Sequence, residues 1–472
     1  MHTTTRRLAL VAASVAVVLT TAACGGGGGD ASAEASANAL DADRASALAR
    51  RRPPPPPPPP PPPATDTTLA LASATASGTA VGGETCAVSA NGGKVLFTSA
   101  SSKLVDPTPF EADIYLKDFN GNGVTLVVAN SSRSVACLAM TPEANTVVFV
   151  DRATNGKVDT LGNSGSELAI LVKSVSTGVQ TRVTPLLSSL ANVDHFQFAG
   201  VSDDGLRVAF IAQPTRTCSG YDCTANGPAR MLVRDLASGA LINLESQVRF
   251  TTSQGFADGD AWLSPNGRTL AFSSRVPYPQ AGDTNPSRDI FALEIASGNV
   301  RLVNTDAAGR QITFTGSPDI SANFSVQAFL SNGSRVAFFA DFDTSAGPGG
   351  VFAKDLATGA LTLVLNRSLT STFGNRGPLS FSDDGRKVAY VEGSGGGTTY
   401  RELPRVVDLI TGARVNAATL SNGTVGNGLT NTNVLLSRDG RTAAFSNNST
   451  NLLGGVSPLG GAELRAYRKL LP

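Results

Sequence analysis

The stretch FSDDGRKVAY, residues 381–390, is one copy of a unit that recurs about every 58 residues from Cys86 onward. Each copy places Ser or Thr before a turn and an aromatic eight residues later. The pairs are Ser89 with Phe97, Thr141 with Phe149, Ser202 with Phe210, Ser264 with Phe272, Ser382 with Tyr390 and Ser437 with Phe445; Ser331 with Phe338 is one residue shorter. The turn itself is Asn91-Gly92, Asp204-Gly205, Asn266-Gly267, Asn332-Gly333, Asp384-Gly385 or Asp439-Gly440, with a degraded copy at Pro142 to Asn145. Asn-Gly and Asp-Gly tolerate the positive φ angles that short hairpins demand, so each copy predicts a strand, a turn and a strand.

After the turn the chain reads VLF, VVF, VAF, LAF, VAF, VAY and AAF in the seven copies. These runs are apolar without alternation, as in strands covered on both faces by stacked sheets. A second hairpin follows in each unit, with its turn at Gly121, Gly178, Gly239, Gly298, Gly359 or Gly412 in six of the copies. Four antiparallel strands per unit, seven units and two buried faces predict an all-β chain folded as a seven-bladed β-propeller over residues 67–472. The 49 glycines and 27 prolines suit so many turns. The seventh unit stops soon after ELRAYRKLL, so the alternating TTLALA at 67–72 is expected to supply the outer strand of the last blade.

The units resemble the TolB-like, WD-repeat-like propeller repeat, in which a Ser-Pro-Asp-Gly turn precedes an Ile-Ala-Phe-like strand and later an Ile-Tyr-Val-x-Asp-like strand. LSPNGRTLAF, FSDDGRKVAY and DIYLKD carry the resemblance, and Gly282-Asp283-Thr284-Asn285 before Asp289-Ile290-Phe291 looks like a spacer common in exported bacterial versions. The resemblance spans about residues 80–472 and implies the fold. The repeat serves binding proteins, assembly factors and accessory domains of enzymes alike, so it implies no single activity.

Residues 1–23 read as a signal peptide, with Arg6 and Arg7 before an apolar run from Leu8 to Leu19. That run is too short to span a bilayer comfortably. TTAAC followed by five glycines resembles a bacterial lipoprotein cleavage site, which makes Cys24 the lipidated residue, and Gly25 rather than Asp after it implies transport to the outer membrane. Residues 24–66 read as a disordered tether ending in eleven prolines, Pro53 to Pro63. As a polyproline II helix those prolines would reach about 34 Å and act as a stiff spacer. The expected location is the bacterial cell envelope, facing the periplasm or the cell surface.

In a four-stranded blade the first and third connections leave on one face, and the second leaves on the other with the crossover to the next blade. Here the first and third connections are the short turns. The second connections are long and unequal, so they form the expected binding face. They carry the acids Asp106, Asp113, Asp151, Asp159, Asp283, Asp289, Asp341 and Asp343 and the arginines Arg152, Arg216, Arg275 and Arg401. Carboxylates and loop carbonyls could coordinate Ca²⁺, although no loop has the dense spacing of a dedicated calcium loop, and solvated surface charge is the simpler reading. The arginines could bind an acidic peptide or glycan, or be rim charges.

Cys218 and Cys223 within one loop are expected to form a disulfide in an oxidising compartment. Cys86 and Cys137 precede the turns of adjacent units and could bridge neighbouring sheets or remain buried thiols. The spacing lacks the paired ligand sets of a zinc site. A net charge of +1 gives no general attraction to nucleic acid. No G-x-S-x-G elbow occurs, and His195 is the one histidine after the signal peptide, so no catalytic set is evident. The expected function is a monomeric, lipid-anchored, non-catalytic scaffold binding an envelope protein, peptide or polymer. The alternative is a carbohydrate enzyme such as a polysaccharide lyase, using the central channel.

Overall fold

The computed structural model describes residues 68–472, apart from 105–111, 122, 130–134, 159–163, 220–221, 254–255, 286, 315–323, 331–332, 341–342, 367–378, 395–400 and 454–462. The expected signal peptide, Cys24 and the expected tether therefore lie outside the described residues, as do Asp106, Asp159 and Asp341. Seven four-stranded antiparallel sheets follow one another along the chain, and among the described residues the only helices are two short 3-10 turns.

The first strands of the sheets are Glu84–Val88, Val135–Met140, Val193–Val201, Ala261–Leu263, Phe324–Leu330, Ser380–Phe381 and Thr430–Leu436. Each packs beside the first strand of the next sheet, and the last packs beside the first, so these strands ring a central axis. The seven sheets are blades 1 to 7, with first strands innermost. Leu69–Leu71 pairs with Arg465–Leu470 as the outer strand of blade 7, which closes the ring from both ends of the chain. Leu69 is wholly buried there and Lys469 Nζ donates to Thr68 Oγ1 at 2.7 Å.

The aromatic of the repeat sits in the second strand, sandwiched between sheets. In blades 1, 4, 5 and 7 it faces an aromatic of the third strand, with centroids 5.4–5.7 Å apart: Phe97 on Tyr115, Phe272 on Phe291, Phe338 on Phe352 and Phe445 on Tyr467. These rings are almost fully buried and belong to the inter-blade cores, which explains the unalternating apolar runs.

The short turns differ from the expectation in one respect: glycine alone takes the positive φ, for example Gly92 at 68° and Gly205 at 72°. The Asp or Asn before it keeps an ordinary backbone and uses its side chain as an acceptor. Asp204 accepts from Ser202 Oγ at 2.5 Å and Leu206 N at 2.9 Å, while Ser202 Oγ accepts from Arg207 N at 2.9 Å. Ser-x-Asp-Gly is thus a closed hydrogen-bond cycle. The glycine also abuts the preceding blade: a side chain on Gly267 would meet Ser202, one on Gly333 would meet Ser264, and one on Gly440 would meet Ser382. In the degraded turn of blade 2, Ala144 adopts φ 57° in the glycine's place.

A second lock lies on the outer rim. Lys354, in the third strand of blade 5 (Gly350–Asp355), donates to the carbonyls of Thr305 at 2.9 Å, Asp306 at 3.0 Å and Gly359 at 2.6 Å. Two of those carbonyls belong to the crossover from blade 4. At the same register position, Arg234 of blade 3 reaches Val183 O and Lys469 of blade 7 reaches Thr419 O, each on the preceding crossover. Burial holds the Lys354 ammonium below the usual lysine pKa, the cost of making this tie. Replacing Lys354 with alanine leaves buried carbonyls unsatisfied and should lower stability by about 1–3 kcal/mol, read by urea unfolding.

Candidate functional site

The two ends of the ring differ. At the short-turn end neighbouring turns bond to one another, as where Ala90 N donates to Pro142 O at 2.8 Å and Asp203 N to Pro265 O at 2.7 Å. Arg438, in the turn of blade 7, reaches across the axis to hold both carboxylate oxygens of Asp203 in the turn of blade 3.

The opposite end is elaborated, and several segments read as loops are strands. In blades 1, 3, 4, 5 and 7 the ladder between second and third strands ends two residues beyond the aromatic, as at Ser99 opposite Asp113. Blade 6 continues to Ser394 opposite Arg401, and blade 2 to Val158 opposite Ser164. Blade 3 adds a hairpin, Arg216–Ser219 with Asp222–Ala225, and the crossover to blade 4 adds another, Thr251–Ser253 with Phe256–Asp258. The two hairpins touch. Blades 2 and 3 therefore raise one side of this face above the rest. Gly, Asn and Asp in EGSGGGTTYRE and DRATNGKVDTLGNSGSE conceal these strands, because ladder pairing with a partner overrides weak local preference.

Disulfides join Cys218 to Cys223 directly across the blade 3 hairpin, with Cα atoms 4.1 Å apart, and Cys86 to Cys137, with Cα atoms 6.1 Å apart. The second links the inner strands of blades 1 and 2. Bulges interrupt the inner strands of blades 1, 2, 3 and 5 immediately after the residue opposite the repeat aromatic. Such bulges re-aim side chains on the wall of the channel, and sequence period alone carries no trace of them.

The structure distributes the sequence-predicted residues unevenly. Asp113 is buried at the ladder end of blade 1 and accepts from Tyr115 Oη at 3.0 Å. Asp343 is exposed and accepts from Gly349 N at 2.9 Å. Asp151 lies on the second strand of blade 2, Arg216 in the blade 3 hairpin, Arg275 just past the second strand of blade 4, and Arg401 at the start of the third strand of blade 6. These residues are spread over blades 1 to 6.

Asp283 and Asp289 do converge, and neither is solvated surface charge: they are 7% and 0% exposed. Gln311 Nε2 donates to Asp283 Oδ1 at 3.1 Å and to Asp289 Oδ2 at 3.0 Å, and Asn304 Nδ2 donates to Asp289 Oδ1 at 2.6 Å. Burial, together with the charge of Asp283, pushes the Asp289 carboxyl up to about 7. Sequence reading selected both acids and missed Gln311 and Asn304, which lie in a crossover without a motif. No three metal-ligating side chains come together among the described residues. His195 lies on the inner strand of blade 3, where its Nδ1 is 3.1 Å from Asp194 Oδ2.

Fold and faces together define a seven-bladed β-propeller with one uniform and one elaborated end. The fold is similar to that of oligogalacturonate lyase from Vibrio parahaemolyticus, 10% identical over 83% of this chain and 91% of that one, with a TM-score of 0.53. An oligogalacturonate lyase solved in complex with manganese is 13% identical over 86% of this chain and 96% of its own, with a TM-score of 0.51. TolB from Acinetobacter baumannii is 18% identical over 68% of this chain and 63% of its own, with a TM-score of 0.39. At such identities the likeness is one of fold. No protein-family model matches the chain, and no curated protein matches it. No helix among the described residues is long and apolar enough to cross a membrane.

Proposed function

We propose that the protein is an exported binding scaffold, lipid-anchored at Cys24 in the bacterial cell envelope, whose elaborated face takes an envelope protein, peptide or polymer. The observation that carries this reading is the asymmetry of the two ends. Short turns form one end, while the projecting ladder of blade 2 and the disulfide-closed hairpin of blade 3 build up the other. A rigid ring with varied structure on one end is suited to recognition, since the scaffold holds that structure in place without ordering cost at binding. The tether of residues 24–66 would hold the ring away from the membrane.

The test is capture from a native envelope extract with the soluble ring, residues 64–472, and with a variant in which residues 217–224 are replaced by a short Gly-Ser turn. A partner retained by the parent protein and lost at least tenfold by the variant is the expected outcome. Equal capture by both would move the binding site away from this hairpin. A glycan shortened during incubation would replace the scaffold reading with that of a carbohydrate enzyme.

A further inference from the structure

The buried pair Asp283 and Asp289 joins two segments on the elaborated end of blade 4. Asp283 belongs to the loop between the second and third strands, where its Oδ2 accepts from Tyr278 N at 3.0 Å and its Oδ1 from Asn285 N at 3.2 Å. Asp289 begins the third strand, Asp289–Glu294. Gln311, on the crossover to blade 5, donates to both carboxyls and accepts from Thr284 N at 2.9 Å and Thr284 Oγ1 at 2.7 Å. One Gln311 nitrogen thus holds an oxygen of each buried carboxyl, which sets the two acids side by side. Two carboxylates offer acceptors only, and a buried pair gathered on one donor is relieved of like-charge repulsion when one of them holds a proton.

We propose that Asp283 and Asp289 form a proton-operated tie between the blade 4 loop and the crossover to blade 5, closed while the pair holds one proton and slackened when both carboxyls are ionised. Losing the proton leaves two buried like charges facing each other at Gln311 Nε2. The charged groups on the crossover and on blade 5 are engaged with other partners. Asp306 and Arg310 of the crossover pair with each other at 2.8 Å, Lys354 is held by carbonyls, and Asp283 is the charged group whose field bears on Asp289. Arg288 adjoins Asp289 in the chain and is itself buried. The raised carboxyl, about 7, places the release of the tie near neutrality. Because the folded state holds this proton more tightly than the unfolded chain does, stability falls as pH rises from the ordinary carboxylate range to about 7, then levels off.

The protein carries its own reporter. Trp262, its single tryptophan, packs against the core containing Ile290, Val303 and Ile312, the residues flanking Asp289, Asn304 and Gln311. Intrinsic fluorescence of the protein alone, followed from about pH 5 to about pH 9, should show a reversible transition with a midpoint near 7. Asp289→Asn, which keeps the shape and supplies a permanent donor, should abolish it. Asp283→Asn should lower the midpoint and keeps the proposal testable if Asp289→Asn does not fold. A flat parent titration, a transition unchanged in Asp289→Asn, or an unmoved midpoint in Asp283→Asn would each overturn the proposal. No ligand enters the measurement, so its result is separate from the binding reading above.

Discussion

Replacing Gly92 with alanine should destabilise the protein by about 3 kcal/mol or more, whereas the same change at Gly178 should cost only about 1 kcal/mol. Both glycines have nearly the same backbone, φ 68° and 73°, so the intrinsic penalty for a left-handed alanine is common to both. Their surroundings differ. A methyl group on Gly178 meets nothing within 4 Å, while one on Gly92 would lie 2.3 Å from Cβ of Thr442, a buried residue of blade 7. That contact spans the seam where the ring closes, and an inserted methyl must push two sheets apart. Urea unfolding of the two variants, with their m-values compared, isolates inter-blade packing from turn conformation. Equal costs would mean that the seam yields without loss.

Leu69→Asp should cost about 4 kcal/mol or more and expose the last blade to proteolysis. Leu69 is wholly buried in a core that includes Phe445, Val434 and Tyr467, so the change removes an apolar side chain and strands a carboxylate. The loss also loosens the pairing of Leu69, Ala70 and Leu71 with Lys469, Arg468 and Tyr467, which supplies the outer strand of blade 7. The third strand of blade 7 would then become a free edge, open to pairing with other chains. Guanidinium unfolding and limited proteolysis of full-length protein are the measurements. A change below about 1 kcal/mol would show that closure by this strand adds little to stability.

The legibility of the chain was uneven for physical reasons. FSDDGRKVAY and its six relatives announced the blades because turn chemistry is local: a Ser hydroxyl, an Asp carboxylate and a glycine cooperate within six residues. TTLALA was readable as the missing outer strand because a ring leaves one place to fill. The projecting strands of blades 2 and 6 read as loops in the sequence, since their Gly and Asn residues carry weak strand preference and their pairing depends on an aligned partner segment.

The candidate site divides in the same way. Asp283 and Asp289 stood out in the sequence as acids in a long connection, and their burial did not. Their relation to Gln311 and Asn304 depends on a crossover returning beside the loop, a contact between segments about 20 residues apart. The lysine lock at Lys354 and the Arg438 to Asp203 pair across the axis are of the same kind. By itself the sequence determined the number of blades, their turns and the manner of closure, because those follow from local hydrogen bonding and a periodic apolar pattern. Only the tertiary structure decided which connections continue as strands, which acids are buried together and which glycines form seams, because those depend on distances between segments that no repeat encodes.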